Sequence, residues 1–404
     1  MIGLERGLAM DKRWFILGVI FVARTAMSFQ FQSVGSAAPK LIETFGIGYA
    51  ALGTLVGLYM VPGVALALPG GLLGRRFGDK AVCCFALAVM TAGGMLIAVA
   101  DGYGTAVVGR VLSGAGAVLL SLIVTKMTTD WFAGREIVTA MGIMVSSWPF
   151  GIAAGLVLQP PLAAAFGWPA VMIAGAGVCG AGLVLVAAFY RARPGAAAGS
   201  GSRAALALPP TREALPCLVA GAIWGVFNVG IVLFFTFGPL LMVENGAETL
   251  GAAKLTSAAL WVMLASVPLG GYLVQRSGRP DLAIVLSTAL AALALAAIQV
   301  PQLAPALCFV IGVCVGPPAG AIFSLPGRVL SPENRATGIG LFMTTFYAFN
   351  AAGPWLAGAL RDATGSAVAP VMLGAAMFAA STPLLIVFHR ASRTVLAARR
   401  VAVA

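Results

Sequence analysis

The sequence predicts an all-α integral membrane protein with twelve spanning helices in two related groups of six. Three observations predict it. The 404 residues are 60% hydrophobic and only 9% charged, with mean hydropathy +0.99, too few charges for the surface of a soluble chain of this length. The apolar residues fall into blocks of about 20, the length a helix needs to cross roughly 30 Å of hydrocarbon. Short patterns in the first half also return in the second.

The twelve blocks lie near 14–38, 50–73, 81–100, 104–126, 137–158, 168–190, 215–238, 252–274, 281–299, 305–327, 336–358 and 370–389. Their connections are short except for "RARPGAAAGSGSRAALALPPTREALP" (191–216), which is rich in Gly, Pro, Ser and Arg and reads as a linker. It divides the chain into an N-terminal six-helix bundle (1–190), a cytoplasmic linker (191–214) and a C-terminal six-helix bundle with a short basic tail (215–404). The first block is full length and lacks a small-residue cleavage site, so no cleaved signal peptide is expected.

With the N-terminus placed in the cytoplasm, 20 of the 25 Lys and Arg residues fall in cytoplasmic segments. Only Lys40, Lys254 and Arg361 fall outside, and Arg24 and Arg110 lie within helices. This asymmetry predicts a multi-pass protein of the plasma or inner membrane with both termini cytoplasmic. It also accounts for the net charge of +12 without a nucleic-acid partner. The lipid bilayer and a small anionic substrate are the expected partners, and the chain is expected to act as a monomer.

No cofactor or metal is expected. Cys83, Cys84, Cys179, Cys217, Cys308 and Cys314 all lie within or at the ends of apolar blocks, without metal-ligand spacing, and His389 is the chain's single histidine. No Ser-His-Asp set, metal set or paired carboxylates suggest an enzyme.

The internal repeat is carried by the loops. "GLLGRRFGDK" (71–80) and "GYLVQRSGRP" (271–280) align Gly71, Leu73, Arg76 and Gly78 with Gly271, Leu273, Arg276 and Gly278, each 200 positions apart. "WFAGRE" (131–136) and "SPENRA" (331–336) align Arg135 with Arg335 at the same spacing. Repeated halves of six helices suit a transporter with a central site.

The loop after the second block resembles the signature of the major facilitator superfamily. "GRVLSGAGAVL" (109–119) resembles that superfamily's arginine-bearing motif, and "AAGPWLAG" (351–358) its Gly-Pro-rich helix. The resemblance covers nearly the whole chain and implies two bundles that alternate access to a central cavity. One departure stands out. The family's usual acid in the first loop is Arg75 here and Gln275 in the repeat, so the charge relay that latches the inward gate must be altered. Asp79 or Asp130 is expected to pair instead with Arg76 or Arg135, and Arg110 and Arg276 complete the expected gating set.

The residue that most needs explaining is Arg24. It is the only charge between Trp14 and Pro39. It lies about 15 Å into the span at 1.5 Å per residue, too deep for easy snorkelling. Inserting such an arginine costs on the order of 2.5–3.5 kcal/mol, so it should face the bundle interior. Ser28 and Gln32 follow at helical spacing and should share a polar stripe facing the cavity. None of the thirteen acidic residues lies in the middle of a span. The planar guanidinium therefore suits a substrate anion, a carboxylate or a cyanate-like group. The competing account is a staple, in which Arg24 bonds helix carbonyls. Arg110 suits gating or packing better than ligand contact, and Lys126 reads as a snorkelling residue at a helix end.

"RTAMSFQFQSVGSAAPKL" (24–41), "PGGLLGRRFG" (69–78) and "AGPWLAGALRDATGS" (352–366) resemble the cyanate and nitroimidazole carriers of the superfamily. "TDWFAGRE" (129–136) is more similar to its other anion and carboxylate carriers. The shared implication is a small-anion carrier. Further candidates for the substrate site are Tyr59 and Trp148 in the first half, and Asn228, Tyr347 and Asn350 in the second. Efflux of amphiphilic drugs is the alternative, although cation export commonly uses a cavity carboxylate. A non-transporting sensor on the same fold is the remaining one.

Overall fold

The computed structural model describes residues 2–67, 77–132, 136–191, 209–331 and 334–403. Arg75, Arg76, Arg135 and most of the expected linker lie outside these residues. The helices are α1 (Ile2–Ser36), α2 (Ala38–Phe45), α3 (Tyr49–Leu58), α4 (Val61–Leu66), α5 (Asp79–Ala98), α6 (Tyr103–Phe132), α7 (Ile137–Phe166), α8 (Trp168–Phe189), α9 (Thr211–Glu244), α10 (Thr249–Ser277), α11 (Pro280–Ala297), α12 (Ala304–Phe323), α13 (Leu325–Val329), α14 (Arg335–Thr364) and α15 (Val368–Val403). Among the described residues, eleven spans are long and apolar enough to cross a membrane. The twelfth, α14, has 30 residues, but glycine, threonine and asparagine dilute its apolar ones. The all-α membrane fold expected from the sequence is the one observed.

Prolines punctuate the expected spans. The second block is two helices, because Pro62 has no N–H to donate back to Leu58 and the chain turns at Tyr59–Met60. Pro326 marks the corresponding restart of α13 after α12. Pro149, Pro160 and Pro161 leave α7 unbroken. α14 ends at Gly365, whose positive φ of 69° lets its N–H close back on the Arg361 carbonyl.

The chain forms two compact units. In the first, residues 1–41 and 69–202, α5 packs against α6 and α8, and α1 against α7 and α8. In the second, residues 42–68 and 203–404, α9 packs against α14 and α15, α10 against α12, and α11 against α12 and α15. By contact, residues 42–68 group with the second unit, where α3 lies along α14. The reason is steric. A Cβ on Gly53 or Gly57 would run into the carbonyl of Pro354 or Ala351, and one on Gly358 into the carbonyl of Tyr49. Without side chains at these points the two backbones touch, which strengthens packing where lipid supplies no hydrophobic drive between helices.

Candidate functional site

In the first unit the polar side chains converge on α1. Arg24 is half-buried, and its guanidinium donates to the Met144 carbonyl of α7 at 2.8 Å. Ser28, one turn further, has no exposed surface, and its hydroxyl lies 3.1 Å from the Thr25 carbonyl and 3.2 Å from that of Ser147. Gln32 donates to the Ser36 hydroxyl at 3.2 Å and packs over Gly155. The stripe expected to face a cavity beside Arg24 is thus buried against α7 at Ser28 and Gln32. Gly151 and Gly155 present no side chain there, so α7 closes onto α1.

Three consecutive carbonyls of α1 receive further donors. Gln159 donates to Phe29 at 2.8 Å, and Arg110 to Gln30 at 3.2 Å and Phe31 at 2.8 Å. Gln30 in turn donates to the Met90 carbonyl of α5 at 2.8 Å. Arg110 is completely buried and lies over the Phe31 ring, 5.5 Å from its centroid. The opposite side of this cluster is aromatic: Phe31 meets Trp148 of α7 at 5.4 Å and 43°. Arg24, Ser28, Phe31 and Trp148 therefore share one α1–α7 seam. Sequence reasoning passed over Gln30 and Gln159, although uncharged amides inside apolar runs were the available signal.

The second unit supplies rings where the first supplies donors. Trp224 stacks on Phe227 at 5.6 Å and 26° and meets Phe323 and Phe346 at 5.8 and 6.2 Å. Tyr347 meets Phe346 at 5.0 Å. Asn228 is half-buried and donates to the Trp224 carbonyl at 2.8 Å. Asn350 is buried and donates to the Phe346 carbonyl at 3.0 Å. Tyr59 is buried at the α3–α4 turn.

Asp79 and Asp130 both pair with Lys126, the latter at 3.0 Å. Lys126 thus bridges two carboxylates rather than reaching only for the membrane surface. The expected partners Arg76 and Arg135 lie outside the described residues. Beside this cluster, burial and then the Asp79 carboxylate push the Tyr190 phenol above its ordinary pKa. In the second unit Asp281 accepts from Arg328 at 2.9 Å and lies 3.0 Å from His389. Arg276 is exposed and donates to the Tyr272 hydroxyl at 3.3 Å. Glu213 accepts from the Ser331 backbone, the Ser331 hydroxyl and Asn334 at 3.0–3.2 Å.

A cluster that sequence reasoning missed fastens the far end of α3. Asp362 accepts from the backbone N–H groups of Tyr49 and Ala50 at 2.8 and 2.7 Å, the open donors of the α3 N-terminus. Arg361 lies 4.9 Å over the Tyr49 ring and pairs with Glu244. Glu244 also accepts from the Ala367 N–H at 2.9 Å. α3 is fixed to α14 at this end by charge and along its length by glycine.

Long apolar helices with buried polar side chains on backbone carbonyls define a polytopic membrane protein. Residues 20–354 match the Major Facilitator Superfamily, and the chain belongs to that family. It is a membrane transporter and not an enzyme. It is 25% identical over 396 residues to the 3-(3-hydroxy-phenyl)propionate transporter of Escherichia coli (strain K12), covering 93% of this chain and 94% of that protein. It is 24% identical over 364 residues to the gallate transporter of Pseudomonas putida, covering 81% of each. A bacterial homologue of the human lysosomal transporter Spinster, solved inward-facing and occupied, superposes with a TM-score of 0.73 at 15% identity, covering 95% of this chain and 97% of that one.

Proposed function

We propose that the protein carries a small organic carboxylate across the inner membrane by alternating access, with Arg24 as the anion-binding residue. The observation that carries this reading is Arg24 itself, a permanent cation in the middle of the first span that keeps exposed surface while bonded to α7. The two relatives matched over most of the chain support the substrate class, since each is a transporter of an aromatic acid by its name. The rocking bodies are the six-helix bundles 1–190 and 215–404, joined by the cytoplasmic linker 191–214, with both termini inside and the chain acting as a monomer. The α3–α14 seam is one contact that must open in the cycle. Arg76, Asp79, Arg110, Asp130, Arg135 and Arg276 act in packing and gating.

The resemblance of the first span to cyanate and nitroimidazole carriers favours a compact inorganic anion as the competing substrate. The bond from Arg24 to the Met144 carbonyl favours a second role, the staple. One experiment separates all three. Binding of 3-phenylpropionate, gallate and cyanate is measured by calorimetry on purified wild-type protein and on Arg24→Ala, with the melting temperature of each. Carboxylate binding lost in a folded Arg24→Ala protein supports the proposal. A large fall in melting temperature with affinity retained supports the staple. Cyanate alone binding supports the inorganic substrate.

A further inference from the structure

We infer that Trp148 is a ring platform that makes the Arg24 site selective for aromatic over saturated carboxylates, and that Arg110 is the residue that positions it through Phe31. The inference rests on the carboxylate reading above and adds a determinant of specificity to it. Arg24 reaches α7 at the Met144 carbonyl, and Trp148 stands four residues further along α7, about 6 Å along the helix axis. An aryl-alkanoate spans a similar length between its carboxylate and its ring. Both Arg24 and Trp148 are half-buried, so each keeps surface to offer a ligand lying along the seam.

The support behind the indole is unusually fixed. Phe31 is buried and tilted against Trp148 at 5.4 Å. Its backbone carbonyl accepts from Arg110 at 2.8 Å, and its ring lies 5.5 Å below the same guanidinium. A desolvated cation over a ring face is attracted by the ring quadrupole. Arg110 therefore holds Phe31 by backbone and by side chain, and Phe31 holds one side of Trp148. An indole held from behind offers a ligand ring a preorganised surface, so less conformational freedom is lost on binding. Simple helix packing would also place these rings together, but it predicts no preference between ligands of equal size and charge.

The test uses the purified full chain and two probes, 3-phenylpropionate and 3-cyclohexylpropionate, which differ in the aromaticity of one ring. Dissociation constants come from calorimetry, and melting curves confirm folding. Wild-type protein is expected to prefer the aromatic acid by roughly tenfold, the scale of one good ring–ring contact. Trp148→Phe should retain most of that ratio, and Trp148→Leu should bring it close to one. Arg110→Lys keeps the charge but loses the two-pronged grip, and should narrow the ratio. Arg24→Ala should weaken both acids together.

Equal wild-type affinities overturn the platform and leave the carboxylate reading standing. So does an unchanged ratio in Trp148→Leu. An unchanged ratio in Arg110→Lys overturns its positioning role. Failure of wild-type protein to bind either acid overturns both readings. If Trp148→Leu does not fold, the wild-type ratio and Trp148→Phe still decide the outcome.

Discussion

The first unit ties its helices together with side-chain donors on backbone carbonyls, and the second does so with rings and glycines. Between helices of the first unit, Arg24, Ser28, Gln30, Arg110 and Gln159 all donate to main-chain oxygens. In the second, Ser266 donates to the Gly312 carbonyl at 2.7 Å, while Trp224, Phe227, Phe323, Phe346 and Tyr347 form a linked ring cluster. The spacing of 200 residues that relates the two loop motifs makes the contrast specific. It sets Arg24 against Trp224, Ser28 against Asn228, and Arg13 against Glu213. The repeat has kept the helices and changed the chemistry. One half holds fixed positive charge inside its spans, the other a polarisable aromatic cluster.

Substitutions can break this contrast or sharpen it. The largest effect should come from Gly53→Leu, which drives a side chain into the Pro354 carbonyl. Overpacking usually costs about 1–3 kcal/mol, and a backbone obstacle puts this one at the upper end or beyond. A melting temperature unchanged by this substitution would show that the α3–α14 contact is not tight.

Next comes Arg110→Ala, which leaves a cavity and removes two charge-assisted bonds, for a loss of about 3 kcal/mol. If the first unit depends on its donors, Arg110→Ala should lower the melting temperature more than Asn228→Ala, whose bond stays within one helix. The reverse order would contradict the contrast drawn here.

Phe346→Ala removes a half-buried ring from the second unit's cluster and should cost about 2 kcal/mol by denaturation in detergent. The smallest effect is expected for Gln159→Leu. The Phe29 carbonyl keeps its place in the α1 ladder, and an apolar residue of similar size fills the space, so the change should stay within about 1 kcal/mol. A drop as large as that of Arg110→Ala would mean that the carbonyl cluster acts as one cooperative network.

The sequence carried the fold better than the site, for a physical reason. Twelve apolar blocks follow from hydrocarbon thickness, a constraint local to each block. What fixes the α3–α14 pairing is non-local, glycines in two segments some 300 residues apart, and no periodicity within either reveals it. The grouping of residues 42–68 with the second unit by contact is not legible in the sequence on that account. Arg24 stood out because a charge in an apolar run is conspicuous, but the burial of Ser28 and Gln32 depends on Gly151 and Gly155 of another helix. Lys126 was read as snorkelling because its two carboxylates come from different segments: Asp130 lies one turn away on α6, and Asp79 at the start of α5. Asp362 drew no attention because its partners are the backbone donors of a helix that starts at Tyr49.

The attachment of α3 to α14 also imposes an order on synthesis. When α3 leaves the ribosome, the glycines and carboxylate that will receive it lie about 300 residues downstream. At roughly 5–20 residues per second this is a wait of about 15–60 s. During that interval the first unit can assemble from α1 and α5–α8 while α3 stands in lipid with its glycine face bare and its N-terminal donors uncapped. A nascent chain arrested before Asp362 should therefore hold a segment open to the insertion machinery or to another membrane helix, and completion of α14 is the event that withdraws it.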